Sequence, residues 1–493
     1  MAAAKPYEHP PMPDIPRLSQ ATLSRRRAGV AAPAYDRAAT LPGIVHFGPG
    51  AFHRAHQASY VEKVLESDPR WGIVGIALRH GALAAALAAQ DHLYTLAELD
   101  AEQHYRVIGA LKDYCAAPAD PARAFAHLAH PAARLITITV TEKGYCLDAQ
   151  GELDLAHPDI VADFMAPDVP VSLIGWIVAG LERRRDGQLA APTVMSCDNV
   201  ASNGPKLRQA VLTFAQSVGK NDLARWIDGE VRFPATMVDS ITPASDVALH
   251  ARVTEAIGLD DAAPVQRESF VQWVIEDGLG PDMPDLATAG AQLTGDVHAY
   301  ERAKLRLLNG AHSSLAYLGL LRGRATVGEA MADAPLAGFV ERMMRGDIAP
   351  TLAAAKGLEI QPYIDALLKR LRNPAIAHRL IQIAADGSLK LPYRLLDTTA
   401  DLLAMGRPVA RPAAAVAAWM RFVVDATRRG EALGDPLAPA LARTASACTG
   451  SAANDVPRFL ALGEVFPRDL AANAVFNGAL MRTYGDLDAA LAL

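Results

Sequence analysis

The apolar residues of this chain follow two different patterns, one before and one after about residue 290. In the first part, short runs rich in Ile, Val and Thr alternate with stretches at helical spacing. Such runs are typical of strands that are buried on both faces of a parallel sheet. The pattern predicts an α/β domain with an open, doubly wound sheet. The predicted strands are residues 43–48, 72–78, 106–111, 134–141, 192–197 and 232–240.

Beyond about residue 290 the strand signal fades, and Ala, Leu, Arg and Met recur at helical spacing. A chain of 493 residues also exceeds the size at which a single core keeps growing. We therefore predict two domains: residues 1–287, with an irregular leader over about the first 40 residues, and residues 288–493, which are mostly helical. Prolines predict the breaks between the helices of the second domain, at Pro350, Pro374, Pro392, Pro408 and Pro412.

Charge and cysteine content narrow the class of protein. A formal net charge of −6 provides no basic surface for nucleic acid, and no run approaches the ~20 apolar residues of a membrane span. The four cysteines are scattered without a CxxC pair, which predicts no disulfides and a reducing, cytoplasmic location. We expect a small-molecule partner, no nucleic acid, no membrane, and a monomer or weak homo-oligomer.

A G-x-G sequence directly follows the first predicted strand and precedes a helical run over residues 57–65. Gly48 permits a tight turn, Gly50 permits close backbone approach to a pyrophosphate, and the following helix offers free N–H groups. The third glycine of the full dinucleotide fingerprint is absent, so a purely steric turn is the alternative. His53 and His56 lie three residues apart without a third ligand nearby, and we predict no metal there.

The end of the second predicted strand bears on the choice of cofactor. In dinucleotide sites this strand commonly ends in an acidic residue that binds the ribose, whereas here Arg79, His80 and Gly81 follow it. Asp68 precedes the strand rather than closing it. A cationic Arg79 would favour a ribose phosphate. We predict NAD as the cofactor, and NADP stays open.

Polar residues lie among leucines in the helical run over residues 300–314. At about 100° per residue, Lys304, His312 and Asn309 fall at about 0°, 80° and 140°, so they can line one pocket. In the alternative, Lys304 extends along the surface while the other two are hydrogen-bonded core residues. Burial disfavours an ammonium, so a buried Lys304 could act as the base that alcohol oxidation requires.

Polar residues also cluster after three of the predicted strands, at residues 139–145, 196–204 and 237–243. The carboxyl edge of a parallel sheet is where ligands of such folds bind. Each segment alone is as compatible with an ordinary polar loop as with a ligand site.

Taken together, these segments resemble the polyol-specific long-chain dehydrogenase/reductase family, which includes mannitol 2-dehydrogenase, arabinitol dehydrogenase and fructuronate reductase. The likeness covers about residues 40 to 480. It implies an N-terminal Rossmann-type domain, a helical C-terminal domain, a cleft between them and catalysis without a metal. The matching blocks, in the same order, are GPGAFHRAHQ at Gly48, TEKGYC at Thr141, SCDN at Ser196, FPATMVDSITP at Phe233, FVQWVIED at Phe270, KLRLLNGAHS at Lys304 and DGSLKLP at Asp386.

Carried over by position, the resemblance implies a role for each matched polar residue. The implied catalytic residues are the general base Lys304, the oxyanion-hole asparagines Asn199 and Asn309, and His312, which would also orient substrate. The implied substrate-binding residues are Asp239, and Lys390 for the distal hydroxyls of the sugar. The implied cofactor-binding residues are Gly48, Gly50, Ala51, Phe52, Arg54, Arg79, Thr141 and Glu142.

The chain departs from the mannitol-dehydrogenase pattern at two places. Gln382 stands where such enzymes carry a substrate-binding arginine, and His80 with Gly81 replaces an acidic pair. Residues 372–394 look closer to the fructuronate reductase branch, in which Arg379 or Arg394 could pair with a sugar carboxylate. Exposed helix arginines are the alternative.

The sequence thus predicts a metal-independent, NAD(P)-dependent oxidoreductase that interconverts a polyol and its ketose by hydride transfer at C2. The mannitol 2-dehydrogenase type, from D-mannitol to D-fructose, ranks first. Fructuronate reductase, acting between D-mannonate and D-fructuronate, and arabinitol dehydrogenase are the alternatives. A dinucleotide sensor that kept the fold without the chemistry is a more remote alternative.

Overall fold

The structure is a computed structural model that describes residues 14–79, 81–100, 102–376 and 378–492. The chain divides into two compact units, Met1–Val297 and His298–Leu493, called here the first and second unit. Every strand of the described residues lies in the first unit. The strands are β1 Ile44–Phe47, β2 Ile73–Ala77, β3 Tyr94–Leu99, β4 His104–Ile108, β5 Leu111–Ala116, β6 Leu135–Ile138, β7 Thr193–Ser196, β8 Thr236–Asp239, β9 Val265–Glu268, β10 Gln272–Glu276 and β11 Gln292–Thr294.

A five-stranded parallel sheet in the order β5-β2-β1-β6-β7 forms the centre of the first unit. From β1 the chain runs outward to β2 and β5 on one side, and then crosses to β6 and β7 on the other. The order therefore reverses between β1 and β6. In sheets of this kind, ligands bind in the crevice at the carboxyl ends of the two strands where the order reverses.

Both faces of this sheet are covered, as the sequence predicts. Neighbouring residues of β1 pack into separate hydrophobic clusters, Val45 with Trp176 and Ile44 with Trp71. The predicted doubly wound α/β architecture is thus confirmed. The helices of this unit are α1 Ala51–Ala55, α2 Gln57–Val64, α3 Ala82–Ala88, α4 Pro121–Leu128, α5 Pro158–Met165, α6 Leu173–Asp186, α7 Asn203–Ser217, α8 Asn221–Glu230 and α9 Val247–Ile257, with 3-10 turns at Leu23–Arg25, Arg37–Ala39 and Glu142–Tyr145.

The first unit also contains two small sheets, β4-β3-β9 and β11-β10-β8. They show that two of the strand predictions, for residues 106–111 and 232–240, need correction. The run 106–111 is wrong as a single strand, because it joins the end of β4 to the start of β5. Between them the Gly109 N–H donates to the Glu62 carboxylate at 2.9 Å instead of to a neighbouring strand. The strand within residues 232–240, β8, pairs antiparallel with β10 rather than joining the parallel sheet.

The second unit is helical, as predicted. Its central helix α18 is buried along most of its length and packs against α11 and α22. Pro412 does not break a helix, because it lies in the first turn of α18, where its missing N–H is not needed. Pro392 does not break one either, because helical winding continues through it from Gly387 to Ala404. The helices are α10 Val297–Ala303, α11 Gly310–Leu321, α12 Val327–Ala332, α13 Ala334–Arg342, α14 Ile360–Leu371, α15 Leu380–Ala384, α16 Gly387–Leu391, α17 Asp397–Ala404, α18 Ala410–Arg428, α19 Ala438–Ser446, α20 Ala452–Leu460, α21 Arg468–Ala471, α22 Ala474–Gly485 and α23 Leu487–Leu491, with a 3-10 turn at Ala349–Thr351.

Three segments of this unit are wound more widely than an α-helix. They are π-helical turns at Lys304–Asn309, Met343–Ile348 and Pro392–Leu396. The first joins α10 to α11 into one continuous helix over residues 297–321. A π turn bonds each residue to the fifth one along, so the spacing of 100° per residue used for the sequence prediction is wrong across it. In the part of the chain that is described, no helix has both the length and the apolar character needed to cross a bilayer.

Candidate functional site

The turn after β1 has a conformation that requires glycine. Gly48 has a φ of +82°, and a Cβ added there would lie 2.2 Å from the carbonyl oxygen of Thr139. At Gly50 the nearest atom to an added Cβ is 3.8 Å away, so the backbone is open there. Pro49 between them packs on Gly75 of β2, where a Cβ would lie 2.8 Å from the proline ring. The result is bare backbone at the end of β1, which fits a dinucleotide pyrophosphate.

The predicted cofactor residues after this turn do not all face outward. Ala51 and Phe52 are partly exposed at the start of α1. Arg54 is buried, and its Nη1 donates to the carbonyl oxygen of Ala263. Its own carbonyl oxygen accepts a hydrogen bond from the Tyr94 hydroxyl at 2.8 Å. The side chain of Arg54 therefore stabilises the interior of the first unit.

Two buried histidines lie beside the turn. His46 is hydrogen-bonded through Nδ1 to the hydroxyl of Thr137 at 2.7 Å and through Nε2 to that of Thr139 at 2.9 Å. The ring of His53 stacks on it at a centroid distance of 3.4 Å. Burial lowers the pKa of His46 to about 3, so this imidazole is neutral near pH 7. The pair forms part of the packing behind the turn.

Arg79 lies in the open, just past the end of β2. Its side chain is 75% exposed and pairs with Asp159 of α5 at 3.2 Å. Such an exposed pair contributes ~0–1 kcal/mol, so the guanidinium is readily available to another anion. His80, which stands in place of the acidic pair, lies outside the described residues.

A different group near α5 has donor atoms of the metal-binding type. One such atom from each of Cys146, His157 and Asp159 lies within 4.8 Å of the others. These donors already have partners, because His157 Nδ1 accepts from the Asp159 N–H at 3.2 Å and Asp159 pairs with Arg79. We therefore treat this group as structural.

One carboxylate from the loop after β7 holds the loop after β6. Asp198 accepts hydrogen bonds from the N–H groups of Val140 at 2.9 Å and Thr141 at 3.0 Å, and from the Tyr145 hydroxyl at 2.8 Å. Thr141 has a φ of +73°, which is rare for a β-branched residue. Thr141 and Glu142, both predicted to contact cofactor, are exposed at this constrained point. Sequence reasoning missed Asp198, although an acid directly after a strand was a visible signal.

Asn199 and Asp239, the other predicted site residues of the first unit, follow or end strands. Asn199 comes directly after Asp198 and is exposed. Asp239 is the last residue of β8 and is buried. Between β7 and β8, the buried Asn203 donates to the carbonyl of Thr236 and accepts from its N–H, both at 2.9 Å. This amide fixes the two strand ends relative to each other.

In the second unit, the continuous helix carries Lys304, Asn309 and His312. Lys304 is 8% exposed and His312 is 7% exposed, so the alternative in which Lys304 extends along the surface is wrong. Lys304 and Asn309 begin and end the π turn, whose i→i+5 bonding brings residues five apart towards one flank. The ring of His312 packs edge-on against that of His378, at 5.4 Å between centroids. A buried amine on such a flank is suited to general acid–base chemistry.

Arg394 lies on another π turn and points at the same helix. Its Nη1 lies 3.1 Å from the hydroxyl of Ser313 and 3.5 Å from the carbonyl oxygen of Asn309. Its Nε is buried with no hydrogen-bond partner, and none of the described carboxylates forms an ion pair with it. Burial lowers its pKa. The guanidinium is partly buried and hydrogen-bonded to the side chain of Tyr393, and a ligand carboxylate can bind such a group bidentately.

Lys390 lies one helical turn before Arg394. Its Nζ donates to the carbonyl of Ala385 at 2.6 Å and lies 3.7 Å from the carboxylate of Asp386. Burial and, secondarily, the charge of Arg394 lower the pKa of Lys390. Arg379 is different, because its side chain is exposed and only its backbone bridges to Thr326. Arg379 thus fits the alternative of a surface arginine.

Comparisons with known proteins agree with this geometry. The family model described as the mannitol dehydrogenase Rossmann domain matches residues 42–287, and that of the mannitol dehydrogenase C-terminal domain matches residues 296–488. D-mannonate oxidoreductase of Escherichia coli strain K12 is 40% identical over 467 residues, which cover 93% of this chain and 96% of that relative. Polyol:NADP oxidoreductase of Gluconobacter oxydans strain 621H is 39% identical over 420 residues, covering 84% and 86%.

A solved structure gives the same result. Mannitol 2-dehydrogenase of Pseudomonas fluorescens, in a ternary complex with NAD and D-mannitol, is 37% identical with a TM-score of 0.80, covering 97% of this chain and 98% of that one. The predicted fold and enzyme class are thereby confirmed, and the NAD in that complex agrees with the predicted cofactor. The chain therefore belongs to the mannitol dehydrogenase family of oxidoreductases.

Proposed function

We propose that this protein is an NAD-dependent oxidoreductase that interconverts D-mannonate and D-fructuronate, a sugar acid and its keto acid. The observation that carries the choice of substrate is Arg394, a partly buried guanidinium beside Asn309 and Ser313 without a carboxylate partner among the described residues. This reverses the order in which the sequence ranks the neutral and the acidic substrate. The E. coli relative named D-mannonate oxidoreductase supports the same choice.

Lys304 is the proposed general base. In the direction of alcohol oxidation its neutral amine takes the proton of the hydroxyl whose carbon becomes the C2 ketone of D-fructuronate. In ketone reduction its ammonium returns that proton. NAD, when bound, supplies the hydride acceptor. Burial of Lys304 keeps bulk water away from the transferred proton.

Asn309 is the proposed donor to the C2 oxygen as negative charge develops on it. It ends the π turn that Lys304 begins, so both act from one short segment. An oriented N–H donor of this kind is typically worth a few kcal/mol in the transition state. Asn199 carries the same proposed role from the first unit, and His312 and Asp239 are proposed to orient substrate.

Arg394 is the proposed partner of the substrate carboxylate, which is C6 in the numbering that makes the ketone of D-fructuronate C2. Lys390 is the proposed partner of the distal hydroxyls. A planar guanidinium matches a carboxylate in two parallel hydrogen bonds, which fixes orientation as well as charge. Lys390 presents an amine whose ion-pair partner, Asp386, lies 3.7 Å away and is half-exposed. Three rotatable N–H donors suit hydroxyl groups.

In the first unit, the glycine turn formed by Gly48 and Gly50, with its open backbone at Gly50, is the proposed pyrophosphate site. Thr141 and Glu142 form the neighbouring wall of the crevice, and Arg79 faces the ribose end. Because Arg79 is exposed and weakly paired, it supports use of NADP as well, in line with the Gluconobacter relative named Polyol:NADP oxidoreductase. A cytoplasmic location and a monomeric or weakly associating state stay predictions.

A neutral polyol is the second candidate substrate, with D-mannitol and D-fructose as the pair. The ternary complex of the P. fluorescens relative with NAD and D-mannitol favours it. The residue that argues against it is Gln382, which is exposed where the resemblance expects a substrate-binding arginine.

The deciding experiment follows the absorbance of reduced nicotinamide while purified, chelator-treated protein is offered NADH or NADPH with D-fructuronate and, separately, with D-fructose. We expect turnover of fructuronate with a kcat/KM well above that of fructose. Turnover of fructose alone would establish the neutral-polyol candidate instead. Absence of turnover with every pair would contradict the enzymatic proposal and favour a dinucleotide sensor.

A further inference from the structure

Asp198 occupies a special place in the first unit. It follows β7 directly, and its three donors, Val140, Thr141 and Tyr145, all lie on the loop after the neighbouring strand β6. Because β6 adjoins β1 where the strand order reverses, this loop borders the crevice in which ligands of such sheets bind. A single carboxylate thus determines the shape of one crevice wall.

The loop in turn touches the glycine turn on the other side of the crevice. The hydroxyl of Thr139 donates to the carbonyl of Gly48 at 2.9 Å, and the Thr139 carbonyl approaches so closely that any Cβ on Gly48 would clash. A continuous set of contacts therefore runs from Asp198 through residues 139–141 to the backbone proposed to bind pyrophosphate.

The loop needs such a restraint because its backbone is strained. Thr141 holds a φ of +73°, and a β-branched residue keeps such a conformation where surrounding structure enforces it. The two N–H groups flanking this strain are those that Asp198 accepts. The Tyr145 hydroxyl, also bonded to Ser196 at 2.5 Å, closes the far end of the loop. Burial raises the pKa of Asp198.

We infer that Asp198 is a positioning residue for the cofactor, which sets dinucleotide affinity by holding residues 139–145 against the glycine turn. This inference rests on the proposed NAD-dependent function. It assigns Asp198 no contact with the reacting atoms. Steady-state kinetics can distinguish this role from a catalytic one. A residue that acts through cofactor placement affects KM for NADH far more than kcat at saturating NADH.

The test compares Asp198→Asn with a matched control, Asp163→Asn. Asp163 of α5 has the same chemistry elsewhere in the unit: it accepts from the N–H groups of Val171 at 2.5 Å and Ser172 at 3.1 Å, and from the Ser172 hydroxyl. Both variants should lose thermal stability, because each replaces one charged acceptor oxygen by an amide NH₂. Isothermal titration of each full-length protein with NADH measures whether affinity follows.

We expect Asp198→Asn to raise the Kd for NADH about tenfold or more, the scale of one lost charge-assisted hydrogen bond, with Asp163→Asn within about twofold of wild type. Steady-state kinetics should show the same rise in KM for NADH with kcat nearly unchanged. Should Asp198→Asn fail to fold, Tyr145→Phe takes its place with an expected rise of about threefold, for one neutral hydrogen bond.

Equal NADH affinity in wild type and the Asp198 or Tyr145 variant would overturn the inference. An equal loss of NADH affinity in the Asp163 control would overturn it as well, because general destabilisation of the first unit would then explain both results. Failure of the wild-type protein to bind NADH at all is a separate result, which contradicts the proposed function itself.

Discussion

The two units present their candidate site residues in opposite ways. In the first unit two polar side chains beside the glycine turn are fully engaged in internal hydrogen bonds: Asp198 accepts from three donors, and both ring nitrogens of His46 are bonded. In the second unit Lys304 is buried, and Arg394 has a buried Nε without a partner. The first unit holds the backbone of its loops in a fixed shape, whereas the second unit buries an amine and holds the Arg394 guanidinium without a carboxylate partner among the described residues.

This difference teaches where each kind of recognition resides. A dinucleotide is bound largely by backbone N–H groups, so side chains of the first unit serve to hold its loops in the required conformation. A small sugar is distinguished by its functional groups, so the second unit keeps cationic donors for them. Substitutions should accordingly change shape and cofactor affinity in the first unit, and chemistry or substrate choice in the second.

The largest expected effect is that of Lys304→Ala in the second unit. Removal of the proposed base should lower kcat by about 10²–10⁴-fold, while the Kd for NADH stays within about twofold. Steady-state turnover and isothermal titration measure the two quantities. Lys369→Ala, at an exposed position of α14, is the control and should match wild type in both. Wild-type turnover in Lys304→Ala would remove the proposed mechanism.

Arg394→Gln should come next and should act on substrate choice. Loss of the guanidinium should lower kcat/KM for D-fructuronate about 100-fold, while kcat/KM for D-fructose changes less than about threefold. Arg379→Gln removes an exposed arginine of the same unit and should leave both values unchanged. Equal losses of kcat/KM for the acid and for the neutral ketose would show that Arg394 does not bind the substrate carboxylate.

Gly48→Ala tests the contribution of shape in the first unit. The added Cβ would lie 2.2 Å from the Thr139 carbonyl oxygen, so the turn must shift, and we expect the Kd for NADH to rise about tenfold. Gly219→Ala is a sharp control, because its φ of +76° carries the same backbone strain with no atom within 4 Å. Each should lose about 1 kcal/mol or more of unfolding free energy. A rise in Kd for both would mean that strain, rather than the close contact, matters.

The smallest effect concerns pH and stability. Buried Glu62 accepts from the Gly109 N–H and the Tyr35 hydroxyl, and burial raises its pKa from 4.5 to about 7. The folded state therefore binds this proton more tightly than the unfolded state, so its contribution is fully present below pH 4.5 and is lost as pH rises through about 7.

Glu62→Gln should remove this dependence. Urea unfolding at a series of pH values should show wild type losing about 1–2 kcal/mol more than the variant between pH 5 and pH 8. Glu66→Gln, at an exposed position just beyond α2, should leave the wild-type slope in place. Parallel curves for wild type and Glu62→Gln would contradict the assignment.

The sequence predicts features that depend on neighbours along the chain and misses those that depend on distant partners. Strands β1, β2, β6 and β7 follow from β-branched runs, which are a local signal. The break between β4 and β5 could not be predicted, because it depends on the Gly109 N–H meeting Glu62, 47 positions away. The role of Asp198 likewise depends on N–H groups 57 and 58 positions away. The sequence did place Lys304, Asn309 and His312 on one helix. The π turn at Lys304–Asn309 could not be predicted, because the pattern of apolar residues does not differ there from that of an α-helix.

In the π turn at Lys304–Asn309, the winding that would be most stable differs from the winding that the proposed catalytic residues require. Rewinding the same residues as an α-helix would give the backbone the more favourable α-helical bonding. It would also rotate everything that follows by about 100°, carrying Asn309 and His312 away from Lys304. Selection for heat resistance alone would therefore favour regular α-helical winding here, and selection for turnover would keep the π turn. A thermostability campaign on this protein should screen for activity whenever substitutions in residues 304–309 favour a regular α-helix.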